Sequence, residues 1–468
     1  MKQTELKSRS GHALDRAAIR EFMALFKGTV YEPASPGYDE ARRIWNAMID
    51  RRPGLIAMCA GIDDVVQAVR FARAFDLETA VRAGGHNVAG RALCDDGIVI
   101  DVSRMKSILV DTNRNIVEVQ AGATLGELDA ATAAYGLAVP VGVAPPTGIA
   151  GLTLGGGVGW LTRKFGMTCD NVLGFEIVMA DGTVRTADPD NNPDLFWALR
   201  GGGGNFGIVT AFRFQAHPVS TVLGGVIFYP RDQAKDVLKF YREFMKTAPD
   251  ELTAYVGFVS LPDGTPVMGI MGCYCGNLAE GEDVLRPLRA FGTPIVDVFQ
   301  AMPFVEMQKL AHMPFDGPTN SYWRTAFLNE FSDAAIDIIV ENVEKAESPL
   351  TGTFIHLFGG AAGRVPEDAT AFAQRKVRYS IGIEAQWLDT AENERHIGWA
   401  RNFARALEPF TGSGYLLNFL HEEGDEIVRQ VFGSNYARLT QIKAKYDPAN
   451  FFRNNQNIVP MNVSHNLG

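Results

Sequence analysis

Apolar residues in the first half of this 468-residue chain come in short runs broken by glycine. GLIAMCAGIDDVVQAVR, residues 54–70, predicts a short strand, a turn and then a helix with Val65, Val66 and Val69 on one face. LETAVRAGGH follows as a strand running into a glycine loop, and GIVIDVSRMKSILVD and NIVEVQAGATLGELDAATAAYG add short strands and one helix. After a glycine-dense block from 142 to 159, GFEIVMADGTVRTA predicts a hairpin turning on Asp-Gly. DLFWALRGGGGNFGIVTAFRFQ then reads as a helix, a glycine loop and a strand.

Beyond about residue 218 the texture changes. VLGGVIFYP, TAYVGFVSLPDGTPVMGIMGCYCG, GTFIHLFGGAAG and YSIGIEAQW alternate as strands, with helical stretches at 231–247, 332–347 and 390–407 between them. Strands bracketing helices, with hairpin signals, predict an α+β unit built on an antiparallel sheet. The closing NYARLTQIKAKYDPANFFRNNQNIVP predicts a helix followed by a polar, Asn-rich segment.

Composition narrows the partners. A formal net charge of −10 and no run of basic residues argue against nucleic acid or an anionic membrane surface. No apolar stretch is long enough to span a bilayer, and the N-terminal residues lack the apolar core of a secretory signal. The five cysteines (59, 94, 169, 273 and 275) contain no CxxC pair, which suggests free thiols and a cytoplasmic protein. The sequon NVS at 462–464 is then a chance match.

GGGNFG at 202–207 fits a dinucleotide fingerprint, but that motif needs a strand before the glycines and a helix after them. Here the order is reversed, and the nicotinamide reading fails. HEEGD at 421–425 lacks a second histidine, no His/Cys set has metal spacing, and no metal is expected. What remains is four glycine clusters: Gly84-Gly85, Gly148 with Gly151, Gly155-Gly156-Gly157 with Gly159, and Gly201 to Gly204 with Gly207. Any one alone is a set of tight turns; four together point to a large phosphate-bearing ligand approached by backbone N–H groups.

VRAGGHNVAG, GIVIDVSRMKSI, VQAGATLGELDAATAAYGLAVPVG, TGIAGLTLGGGVGWLTRKFGMTCDNVLGFEIVMADG, LFWALRGGGGNFGIVT and YDPANFFRNNQNI jointly resemble the FAD-linked oxidases of the berberine bridge enzyme-like group. That group lies within the vanillyl-alcohol oxidase superfamily, and the chain is most similar to its bacterial 6-hydroxynicotine oxidase-like branch. The resemblance implies a two-part PCMH-type FAD-binding domain, residues 1–217 and 425–468. A substrate domain, 218–424, of antiparallel sheet flanked by helices is inserted between the parts. It also implies that His86 is bonded to the 8α-methyl of FAD, with Arg82, Ala83, Gly84, Gly85, Asn87 and Val88 around the pyrophosphate. Further cofactor contacts fall on Thr147, Gly148, Gly151, Gly155, Gly156, Gly157, Val158 and Gly159. Cys169, Asn171, Gly207, Ile208 and Val209 complete the first segment's set, and Asn455 and Asn457 supply contacts from the C-terminal segment, where an exposed tail is the alternative. Relatives with a second flavin bond use a cysteine where this chain has Ala144, so a single covalent bond is expected. Thr147 falls where the family gates oxygen access.

The implied reaction moves a hydride from a C–H beside a hydroxyl or amine to the flavin, with molecular oxygen reduced to hydrogen peroxide. A dehydrogenase using another acceptor, or a covalent flavin-binding protein with little turnover, stays open. On the substrate side, period-2 alternation places Phe354, His356 and Phe358 on one strand face, with the imidazole as a candidate base and a histidine paired within the sheet as the equal alternative. NSYWRT offers Tyr322, Trp323 and Arg324, the first two with a place in the core as the equal alternative, and GYLLNF offers Tyr415 and Asn418. The family's tyrosine base would stand at Leu416; on a strand, Tyr415 would face the other way. This aromatic lining implies a small, apolar or heteroaromatic substrate. A dimer stays open as the assembly.

Overall fold

The structure, a computed structural model, describes residues 5–310, 319–328, 330–412, 414–421 and 424–461. Its first half builds two sheets around one core. The smaller sheet runs in the order Thr29–Tyr31, Leu55–Met58, Ile98–Asp101, Thr79–Arg82, and the last three strands are parallel. Parallel neighbours need a crossover, and the helix Ile62–Ala74 supplies it, burying Val65, Ala68, Val69 and Ala72. Five antiparallel strands form the second sheet, ordered Ile108–Asp111, Ile116–Gln120, Ile208–Gln215, Val172–Val178, Val184–Ala187. The Asp-Gly hairpin joins the last two, with Gly182 at φ 73°.

The inserted unit is an antiparallel sheet whose main path runs Val296–Asp297, Thr221–Pro230, Pro266–Tyr274, Leu252–Ser260, Gly352–Leu357, Tyr379–Trp387, Asn320–Leu328. The helices Ala234–Thr247, Asp333–Val343 and Asn393–Leu407 cover one face, where Ile355, Ile381, Ile383, Val237 and Phe403 form a separate core. The other face turns toward the first unit. Two elements here escape the sequence pattern: the edge strand Asn320–Leu328, and the helix Leu278–Arg289, whose apolar spacing is diluted by charge and by an internal Pro287.

The expected boundary at 425 moves. Leu417 and Leu420 are buried in the first core and Tyr415 packs against it, so the chain has returned there before residue 425. Nor does GYLLNF form a strand: Leu417–Phe419 is a single 3-10 turn. Side-chain alternation therefore does not apply, and Leu416 instead joins Met167, Cys169, Phe327 and Phe358 in a small cluster between the units. After the helix Tyr436–Tyr446 the chain is irregular but anchored. The fully buried Lys443 ammonium donates to Asp447 (2.7 Å), Asn205 O (2.6 Å) and Phe452 O (2.9 Å). The sequon at 462–464 lies outside the described residues, and among the described residues no helix is long and apolar enough to cross a membrane.

Candidate active site

The strand Thr79–Arg82 leads through Ala83, Gly84 and Gly85 to His86. Gly85 sits at φ 68°, in the left-handed region where a Cβ is strained. Arg82 is buried, and its guanidinium pairs with the Asp101 carboxylate on the adjacent strand, Nε to Oδ2 2.6 Å. It fixes the strand end, so its charge is already spent within the protein. A Cβ on Gly84 would stand 2.4 Å from Gly148 N, so these two glycines exist to let their loops touch, and Thr147 is carried in alongside. Trp45 stacks on the His86 ring (centroids 5.4 Å apart, 20° between planes) and meets Trp323 of the inserted sheet edge-on at 5.2 Å. A cavity of about 680 Å³ opens here, with Trp45, Gly84, Gly85, His86 and Arg104 among its walls. Asn87 Oδ1 accepts from Arg91 N, and the Val88 carbonyl accepts from Asn46.

Most of the later glycines are fixed by neighbouring protein atoms. A Cβ on Gly155 would meet the Asn418 amide at 2.4 Å, on Gly157 the Thr168 hydroxyl at 2.3 Å, on Gly159 the Val141 carbonyl at 1.8 Å, and on Gly156 the Phe372 ring at 2.9 Å. Gly207 is held against Ile177 where Ile208 and Val209 enter the sheet. Only Gly151 and Gly204, of the four clusters, have open space at the Cβ position. Asn418 donates to Leu152 O (3.1 Å) and Gly151 O (3.3 Å) and accepts from Gly157 N, so it braces this loop. Asn171 is likewise committed, donating to Phe165 O and Met167 O and bonded through Oδ1 to His217. Cys169 is fully buried, with its thiol pushed up by burial, while Val158 packs on the same cluster.

The C-terminal RNNQN is no exposed tail. Asn454 donates to Arg91 O and Leu93 O, and Asn455 to Gly204 O and Phe452 O. Asn455 Oδ1, Gln456 Nε2 and Asn457 Oδ1 are nevertheless buried without a hydrogen-bond partner. Buried polar groups are rarely left so.

Across from the glycine loops lies the face of the inserted sheet that its own helices leave free. Register places three rows on it: Trp323, Glu384 and Gly352; Thr325, Gly382, Phe354 and Gly257; and Phe327, Ser380, His356 and Tyr255. The Tyr255 hydroxyl donates to Gly159 O at 3.0 Å, fastening the face to the glycine block. Phe419, from the 3-10 turn, stacks on His356 at 5.9 Å and reaches Trp323 at the same separation. Trp323 Nε1, Thr325 Oγ1, Ser380 Oγ and His356 Nδ1 are buried without partners. Burial holds the His356 imidazole down to about 4, so it is neutral at physiological pH. Burial also pushes the Glu384 carboxyl up to about 8, and its Oε1 lies over Gly382, 3.4 Å from where a Cβ would be.

Of the four predicted substrate-side residues, only His356 is on this face. Tyr322 is buried in the opposite core, its hydroxyl accepting from Arg401 Nε at 3.1 Å, because its strand neighbour Trp323 takes the site side. Tyr415 packs against the first core and Asn418 braces the glycine loop. Sequence reasoning missed Trp45 and Glu384; alternation in YSIGIEAQW does put Ser380, Gly382 and Glu384 together, but only once that strand's site face is known. All five cysteines are buried and unpaired, and the described residues contain no group of three or more potential metal ligands.

Comparison with known proteins gives two family matches, an FAD binding domain over residues 53–188 and a berberine and berberine-like segment over 415–459. An FAD-linked oxidoreductase of Dictyostelium discoideum is 34% identical over 95% of this chain and 97% of its own length. The (R)-6-hydroxynicotine oxidase of Paenarthrobacter nicotinovorans is 32% identical over 93% of this chain and 97% of its own. The crystal structure of 6-hydroxy-D-nicotine oxidase from Arthrobacter nicotinovorans superposes with a TM-score of 0.86 at 31% identity, covering 92% of this chain and 98% of that one. A chitooligosaccharide oxidase shares the fold at 24% identity, with a TM-score of 0.85 over 95% of this chain and 99% of its own.

Proposed function

The chain belongs to the FAD-linked oxidoreductases of the berberine-like family, and we propose that it is an oxidase carrying FAD on a single covalent bond to His86. The residues fit that cofactor. His86 stands beyond a left-handed glycine, at the wall of a cavity, with Thr147 brought alongside by the Gly84–Gly148 contact. The unpartnered Asn455, Gln456 and Asn457 atoms and the open positions at Gly151 and Gly204 offer polar and close-approach contacts. When bound, FAD accepts a hydride from a C–H beside a hydroxyl or amine of a small substrate and passes the electrons to oxygen, giving hydrogen peroxide.

The chain's own residues orient the substrate and accept its proton. Trp45 clamps the His86 ring, and the aromatic face of Trp323, Phe354 and Phe419 supplies apolar contact and excludes water. His356, neutral and unpaired at Nδ1, serves as a hydrogen-bonding group, too weak a base to keep a proton at neutral pH. Glu384, raised to about 8, is the stronger base of the two, and in its ionised form it is the group on this face that takes the substrate's O–H or N–H proton.

The observation that carries the reading is the alignment of His86, Trp45 and Trp323 between the glycine loops and the sheet face opposite them. Mass and visible spectrum of acid-denatured protein, wild type beside His86→Ala, test it. A yellow adduct one FAD heavier in wild type and absent from the variant is expected; freely released flavin in wild type refutes the bond. Oxygen uptake with peroxide release separates the oxidase from a dehydrogenase.

A further inference from the structure

The helix Leu125–Ala133 of the first unit packs against the helix Phe304–Leu310 of the inserted unit, and one polar pair is buried in that seam. Asp129 and Gln308 are 3% and 1% exposed, and their helix neighbours Leu128 and Met307 are fully buried. Gln308 Nε2 donates to Asp129 Oδ2 at 3.0 Å and to Gly142 O at 3.1 Å, which uses both amide hydrogens. Gly142 O can only accept, so it fixes which end of the amide is nitrogen. The two remaining oxygens, Asp129 Oδ1 and Gln308 Oε1, are buried without a partner.

These orphaned atoms belong to two planar groups that one hydrogen bond already joins. A carboxylate oxygen and an amide carbonyl both only accept, so neither satisfies the other. A proton on Oδ1 removes the conflict, because a neutral acid and an amide pair through two parallel bonds, N–H to oxygen and O–H to oxygen. Burial favours that neutral form and raises the Asp129 carboxyl to about 7, with the Gln308 bond a smaller pull the other way. No counter-charge is in place. Among the described residues, the charged groups on these two helices and on the strand Ile108–Asp111 beside them are engaged elsewhere: Glu127 with Lys106, Asp111 with Arg114 and Glu306 with Lys309. The strands Gln300–Pro303 and Thr221–Pro230, packed on the second helix, bring no charge, and the Tyr229 hydroxyl donates to Leu288 O.

We propose that Asp129 and Gln308 form a proton-dependent latch between the two units, in which a proton on Asp129 Oδ1 is donated to Gln308 Oε1 and closes a two-bond acid–amide ring, and loss of that proton loosens the seam and the 142–148 loop it grips. A carboxyl that the fold keeps neutral contributes its stabilisation in full below the ordinary carboxylate range and loses it as pH rises through about 7. Above that point a buried carboxylate faces the Gln308 carbonyl, and the hold on Gly142 O weakens with the pair. Residues 142–148 carry Thr147 and end at Gly148, whose backbone touches Gly84, so the latch reaches the His86 loop through backbone contacts.

Hydrogen–deuterium exchange on the purified protein, read by mass spectrometry over residues 142–148 and 304–310, compares wild type with Asp129→Asn at the same pH, which cancels the intrinsic pH dependence of exchange. Asparagine offers an N–H where the acid offers an O–H, so the variant keeps both bonds at every pH. Equal exchange is expected at pH 5.5, and about tenfold faster exchange in wild type at pH 8.5. Gln308→Leu, which removes the partner, should exchange fast at both. In the infrared, wild type at pH 5.5 should show a carboxylic-acid C=O band that is lost at pH 8.5 and absent from Asp129→Asn. Equal exchange of wild type and Asp129→Asn at pH 8.5, or no such band in wild type, overturns the proposal. Should Asp129→Asn fail to fold, Gln308→Leu decides: exchange as slow as wild type at pH 5.5 overturns the latch, and fast exchange upholds it.

Discussion

Replacing Asn46 with alanine should loosen the seam between the cofactor loop and the inserted sheet. The Asn46 side chain is fully buried and makes four hydrogen bonds. Its amide donates to Val88 O and Ser321 O, both at 2.9 Å, and its Oδ1 accepts from Ser321 N and Met48 N, both at 3.1 Å. Val88 lies two residues beyond His86, and Ser321 is the second residue of the edge strand that carries Trp323. Alanine leaves the Ser321 N–H and two buried carbonyls without partners. At about 1–3 kcal/mol for each stranded group, discounted for water that enters the space left behind, the loss comes to about 3–5 kcal/mol. That is a large share of the roughly 5–15 kcal/mol that holds a domain together. Urea unfolding followed at two wavelengths reads it: the flavin band for the cofactor loop and tryptophan emission for the sheet. The variant should shift both transitions to lower urea and pull them apart, since the strut joins the two units. A loss below about 1 kcal/mol with coincident transitions would refute the assignment of Asn46 as that strut.

Asp129 is fully buried under the inserted unit, where Gln308 Nε2 donates to its Oδ2 at 3.0 Å, and burial raises its carboxyl to about 7. A folded-state value above the unfolded one gives stability that is complete at low pH and lost as pH rises through about 7; wild type should therefore show a lower urea midpoint at pH 8.5 than at pH 5.5, and Asp129→Asn should flatten that difference. Lys443→Met strands the buried Asp447 carboxylate and should cost about 3–5 kcal/mol, with faster flavin loss from the Asn455–Asn457 segment it anchors; an unchanged midpoint would show the pair to be dispensable. The five buried thiols, each raised by burial, should resist a thiol-specific disulfide reagent in native buffer and all react in denaturant, and rapid native labelling at any one would contradict its burial.

Local pattern made the first half of the fold legible. The strand-helix-strand at 55–82, the Asp-Gly hairpin and the helix-loop-strand around GGGNFG all depend on neighbours a few residues away, and they stand where the sequence predicts. Tertiary packing decided the rest. GYLLNF has the apolar alternation of a strand, yet Leu417 and Leu420 find their burial in the first core, and a 3-10 turn is the path that reaches it. The glycine clusters were visible as clusters, but their purpose was not: Gly84 and Gly148 touch each other, and Gly155 touches Asn418, across hundreds of residues in the latter case. Only the contact partner distinguishes a glycine kept for a neighbouring chain from one kept for a ligand.

The same distinction bears on His356, which the sequence offers as a base with a histidine paired within the sheet as the equal alternative, and on its neighbour Glu384. In water an imidazole outcompetes a carboxylate for a proton by about two pKa units. Both side chains here stand on a sheet face against which the first unit packs, and burial is what shifts each of them. Desolvation penalises whichever form is charged, so it disfavours the protonated histidine and the ionised glutamate together. His356 falls to about 4 and Glu384 rises to about 8, which inverts their order. The inversion comes from the face being covered, not from either residue's identity. Residue types in a sequence carry their aqueous affinities; the order in which two buried groups take a proton is set by the packing around them.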